Sequence, residues 1–143
     1  MTVEGLQPVG VLVAAIVSIV SGSLWFGPKT LYPVWMKARG IASGRLKENH
    51  QPAVLFGGTF VGVIAQTITL AVIITSLQSG SESFAITDGA GVGLAVGVGI
   101  AAFASLSHRL FGGENFKVWI IETANDAINL TIAGALIAYF NGA

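Results

Sequence analysis

Four long apolar stretches divide this chain, and they limit its fold more than any motif does. The first is an uncharged run between Glu4 and Lys29 whose apolar heart is Val9–Phe26. With the others it places membrane spans at about 8–27, 52–77, 87–107 and 118–140. Each has about 20 residues or more, and at about 1.5 Å per residue each covers a hydrocarbon layer about 30 Å thick. Lipid offers no hydrogen-bond partners, so every backbone amide must be paired within its own segment. That predicts helices despite the many Val, Ile and Gly residues; stacked buried strands would need shorter runs. The expected fold is all-α, a four-span transmembrane helical bundle forming one membrane domain over residues 1–143.

Composition narrows the function classes. Charged residues make up 10% of the chain and hydrophobic ones 53%, whereas a soluble domain carries about 25% charged residues. There are too few polar side chains to clothe a soluble surface, which argues against a soluble enzyme, a nucleic-acid binder and a disordered tail. The absence of cysteine excludes disulfides, thiolate catalysis and cysteine-ligated metal sites. No Lys or Arg precedes the first run, so it reads as a retained helix rather than a cleaved signal peptide.

The seven basic residues are confined to alternate connections. Lys29, Lys37, Arg39, Arg45 and Lys47 follow the first span, and Arg109 and Lys117 precede the fourth. Such segregation marks cytoplasmic loops, which predicts both termini on the non-cytoplasmic side. Within the first basic loop, Leu31, Tyr32, Trp35 and Met36 share one side of a helical wheel, with Lys37 opposite. Residues 30–39 are therefore expected to form a short amphipathic helix in the membrane interface. Trp25, Trp35 and Trp119 fall near span boundaries and are expected to act as interface anchors.

Small residues recur at four-residue spacing. Gly10, Ala14, Ser18 and Gly22 mark the first span, Gly58 and Gly62 the second, and Gly89, Gly93, Gly97, Ala101 and Ser105 the third. Membrane helices pack by close backbone approach, so these stripes are expected to be contact faces, in the bundle or between subunits. The glycines of the third span do not make a dinucleotide-binding loop: after Gly91 and Gly93 the third required position is Val96, and the segment lies inside a span.

Only the fourth span has ionisable groups well inside it. Glu122, Asn125, Asp126 and Asn129 lie on one side of a helix. Counted from Lys117, Glu122 is roughly 7–8 Å deep and Asp126 roughly 13–14 Å. Gln66, in the second span, lies at a depth comparable with Asn129 and is the expected polar counterpart. With no Lys or Arg in any span, Asp126 has no evident cationic partner. Two readings stand: an interhelical hydrogen-bond clasp, or a polar path opening to the cytoplasm. His50 and His108 have no ligand partners nearby in sequence, and Ser18, Ser21 and Ser23 have no neighbouring base. No catalytic residue, cofactor or metal site is therefore expected.

Two stretches carry a family resemblance: SGSLWFGP with VWMKARG, and LFGGENFKVWIIETANDAINLTIAGALIAYF. Together they resemble domain-of-unknown-function family 1761, small four-helix bacterial integral membrane proteins. That resemblance implies a location in the bacterial inner membrane, no established activity, and no catalytic residues to carry over. The expected role is a structural or accessory subunit that packs through its glycine stripes into a homo-oligomer or with other membrane subunits, with membrane lipid as its surroundings. The alternative is a small oligomeric channel or transporter using Glu122, Asp126 and Asn129. A membrane enzyme acting on lipid or quinone is a third class, for which no nucleophile–base pair is visible.

Overall fold

A computed structural model of the protein describes residues 3–40 and 52–142, and these are all-α. The predicted positions of Arg45, Lys47 and His50 lie outside the described residues. Helix α1 (Pro8–Trp25) starts with proline in its first turn, where no amide hydrogen is needed. The Thr30 hydroxyl closes its other end, its single hydrogen within reach of the carbonyls of Leu24, Trp25 and Gly27. Helix α2 (Tyr32–Ala38) follows at once, within the predicted amphipathic segment. After α3 (Pro52–Gln78) comes a rod in three parts: α4 (Ile86–Leu94), a π-helical stretch (Ala95–Ala102) and α5 (Phe103–Phe111). The rod begins where the Asp88 carboxylate accepts the Ala85 amide, 2.8 Å away.

The turn into α6 (Phe116–Phe140) is written in the sequence. Gly113 adopts φ +69°, a conformation that glycine takes without steric cost. It lets the Glu114 amide donate back to Arg109 and its own amide to Leu110, the paired bonds of a Schellman stop. The Asn115 side chain then caps α6 by accepting the Lys117 amide.

The helices alternate in direction. At one end of the bundle, Asn141 after α6 accepts the Gln7 amide and donates to Thr75 and Gln78 of α3. At the other end the Trp25 indole, closing α1, donates to the Ile121 carbonyl of α6. Thus α1 and α4 run antiparallel to α6 while α3 runs parallel to it. The two described chain ends share one end of the bundle, and α2 lies at the opposite end, where it contacts the start of α6.

Among the described residues, three helical segments are long and apolar enough to cross a membrane: Pro8–Trp25, Phe56–Gln78 and Ile86–Phe111. The expected fourth span, α6, has 25 residues, about 37 Å of helix, but its carboxylates and amides make it less apolar than the rest. Packing supplies the reason. Helix α6 is central, touching α1, α3 and α4, and it contributes Leu130, Ala133, Ile137 and Ala138 to a core shared with Ala14, Leu70, Ala71 and Ile74. The outer helices turn their large side chains away; Val9, Leu12, Ile16, Val20 and Leu24 form such a stripe on α1.

Backbone approach is closest between α6 and the rod. A Cβ built on Gly93 would lie 2.0 Å from the Leu130 carbonyl oxygen, and one on Gly134 would lie 2.2 Å from that of Gly89. At Gly97 it would meet Ala127 Cα at 2.8 Å. On α1, Gly10 rests against Phe140, and Gly22 faces Asn129; Ala14 and Ser18 are buried between them. Gly58 and Gly62 of α3 have nothing within 4 Å and make no close packing in the protomer.

This contrast gives a test. Gly93→Ala should destabilise the purified protein by about 1–3 kcal/mol, the usual cost of overpacking. Gly58→Ala should be neutral or slightly stabilising to the fold of the isolated protomer, because alanine is the better helix former. Denaturant titration in detergent measures both, and equal responses would contradict the packing described.

Candidate functional site

The polar residues at the end of the bundle that holds α2 form a closed ring. The Trp35 indole of α2 donates to Glu122 Oε1 of α6 at 2.9 Å. Glu122 Oε2 pairs with Arg109 Nη2 of α5 at 2.7 Å. The other guanidinium nitrogen of Arg109 binds Glu114 in the turn. Glu114 also pairs with Arg39 Nη2 at 3.6 Å, and the Arg39 guanidinium lies 4.9 Å from the centre of the Trp35 ring. Five side chains from α2, its C-terminal cap, α5, the turn and α6 are thereby joined. Glu122 is the most shielded of the four charged members, its side chain 18% exposed.

Local sequence explains why these groups meet. The Schellman stop reverses the chain, so Arg109 before it and Glu122 after it come to the same side. The glycine turn itself delivers Glu114. Helix α2 is held flat by its aromatic face: Trp35 stacks on Tyr32 and meets Phe26 edge-on, both with ring centres 5.9 Å apart. The charge-assisted bonds to the shielded Glu122 are each worth about 1.5–3 kcal/mol, and the more exposed Arg39–Glu114 pair about 0–1 kcal/mol.

The predicted stripe on α6 is thus divided. Glu122 is engaged by Arg109 and Trp35, a partnership the sequence did not reveal, while Asp126 makes no ion pair among the described residues. Arg109 reaches Glu122 because the third helix continues to Phe111, beyond the expected end near residue 107. Asn125 is buried and Asn129 half-buried, and the side-chain oxygen of each lies buried without a donor. Asp126 is exposed; its one described contact is a 3.5 Å approach from the Asn125 amide. Gln66 does not join them. It is exposed on α3, outside the face of Thr67, Leu70, Ala71, Ile74 and Thr75 that packs inward. Thr67 satisfies its own hydroxyl on the Val63 carbonyl.

All three tryptophans direct their indole N–H groups to protein acceptors. Besides Trp25 and Trp35, Trp119 donates to the Ala102 carbonyl at 3.0 Å and lies 3.2 Å from Ser105 Oγ. They fasten helices to one another, a role that boundary position alone did not reveal. Ala102 is the last residue of the π-helical stretch, and its carbonyl also accepts the Ser105 hydroxyl. Ala101 is half-buried, and His108 is exposed on the last turn of α5. Among the described residues no group of three His, Asp or Glu is placed to hold a metal ion.

Comparison with known proteins gives one match. Residues 9–138 fit the family described as protein of unknown function (DUF1761). No curated protein and no solved structure matches the chain.

The ring makes a specific prediction. Glu122→Ala removes the acceptor of Trp35 and the partner of Arg109, so amide hydrogen exchange in Tyr32–Ala38 should rise at least tenfold. Glu122→Gln keeps an acceptor and should fall between the two, while exchange around Leu70–Thr75 stays constant. Unchanged protection of α2 in Glu122→Ala would show that the ring does not hold it.

Proposed function

The chain belongs to the protein family of unknown function DUF1761, and from that premise we propose a non-enzymatic membrane subunit that acts by assembling with its own copies or with other membrane proteins. In this reading α6 is a fourth crossing, enclosed by the three apolar ones. The basic end faces the cytoplasm, as the positive-inside bias predicts, and both termini lie outside the bacterial inner membrane. The chain carries no catalytic residues and requires no cofactor.

The observation that supports assembly is the exposure of Asp126, the eleventh residue of a helix 25 residues long. A carboxylate facing lipid at such depth costs about 3 kcal/mol on insertion scales. Asp126 lies on the same helical side as Leu130, Ala133 and Ile137, which pack on the second half of α3. The first half of α3 exposes Val54, Phe56, Phe60 and Val61 and leaves that side open. Another subunit seated there would cover Asp126 together with Gly58 and Gly62, where an added Cβ would meet nothing within 4 Å among the described residues. Close helix approach through small residues is how such contacts form in lipid.

A second reading rests on a separate observation. The unpartnered oxygens of Asn125 and Asn129 lie one helical turn apart beside Asp126, an arrangement suited to a hydrated polar path. One experiment separates the two. Native mass in nanodiscs and ion flux in liposomes are measured for the wild type, Asp126→Asn and Asp126→Leu. Assembly predicts an oligomer or complex that Asp126→Leu dissociates at least tenfold more readily, with no flux in any form. A flux lost in Asp126→Asn at unchanged mass would favour the path.

A further inference from the structure

Beside the ring, on the outer side of α2, lies a groove of about 550 Å³ lined by Pro33, Val34, Lys37 and Ala38 of α2 and by Lys117 of α6. Its floor is apolar, and both of its charged groups are ammoniums on exposed side chains. Of the described carboxylates at this end of the bundle, Glu114 is committed to Arg39 and Arg109, and Glu122 to Arg109 and Trp35. Neither Lys37 nor Lys117 has an ion pair among the described residues. Two uncompensated cations over an apolar floor, beside the first residues of α6, match one amphiphile: a phosphate headgroup with an acyl chain beneath it.

We propose that this groove binds the headgroup of an anionic phospholipid, with Lys37 and Lys117 on the phosphate and Val34 and Pro33 against the glycerol and upper acyl chain. Lysine is suited to this as a compact, mobile point charge, whereas the arginines nearby are held in fixed geometry by the ring. The size agrees with ordinary ligand sites of about 300–1,000 Å³, and basic residues at a membrane surface are attracted to anionic lipid in just this position. The inference rests on the membrane reading of the chain but not on the assembly proposed above.

The test uses the full-length protein in mixed detergent micelles containing phosphatidylglycerol and phosphatidylcholine, with bound lipid counted by native mass spectrometry. The wild type should retain phosphatidylglycerol at least tenfold over phosphatidylcholine. Lys37→Gln with Lys117→Gln should lower that preference at least tenfold. Lys29→Gln, a basic residue outside the groove, should leave it within twofold. A fourth variant, Val34→Trp, keeps both lysines and fills the groove, so it should weaken retention without altering charge. Equal retention of the two lipids by the wild type would overturn the proposal. So would an unchanged preference in the double variant, or a loss in Lys29→Gln as large as in the double variant, which would mean diffuse attraction. Continued incorporation of the double variant into micelles, with unchanged helical content, separates failure of the groove from failure of the membrane reading.

Discussion

The least apolar long helix of this protein is also the most enclosed, and the remaining architecture follows from that. Helix α6 carries two carboxylates and two amides, groups that lipid cannot satisfy. Three helices gather around it, and their own large apolar side chains are turned outward. Enclosing a helix so closely requires partners with little bulk. Gly89, Gly93 and Gly97 let the rod's backbone approach Gly134, Leu130 and Ala127. Glycine costs helix stability in water, yet here it provides contact area that no larger residue would permit.

The two ends of the bundle solve different problems. At the end near the chain termini, neutral amides and hydroxyls connect Gln7, Thr75, Gln78 and Asn141. At the basic end, charges are disposed in a closed ring in which each carboxylate serves two donors and Arg109 serves two carboxylates. An isolated exposed ion pair contributes about 0–1 kcal/mol. A ring whose members come from separate elements has a different consequence, because it fixes α2 against α6 and leaves Lys37 and Lys117 on the outside.

Much of this was legible in the residues. The apolar lengths of α1, α3 and the rod announce helices. The amphipathic pattern of 30–39 locates α2. What could not be read was which side each helix presents. Gln66 shares its depth with Asn129, but α3 is rotated so that Thr67 rather than Gln66 faces inward. The partner of Glu122 was hidden because Arg109 was assigned to a loop; a longer third helix, followed by a tight reversal, brings it into reach. Tryptophans at span boundaries suggest a belt, while only the fold shows their indoles donating to Ile121, Glu122 and Ala102. The sequence also counted α6 with the apolar helices, whereas it is less apolar than the three segments long and apolar enough to cross a membrane, in keeping with its place at the centre of the bundle.

The most direct test of this account is the environment of α6 itself. The chain has no cysteine, so single spin labels can be placed at Ile128→Cys, Ile132→Cys, Ala133→Cys and Ile137→Cys in reconstituted bilayers. Collision rates with dissolved oxygen then report exposure to lipid. The account predicts high rates at 128 and 132, whose side chains face outward, and low rates at 133 and 137, which are buried in the core. Rates that are uniform along the helix, or higher at 133 and 137, would contradict a central α6.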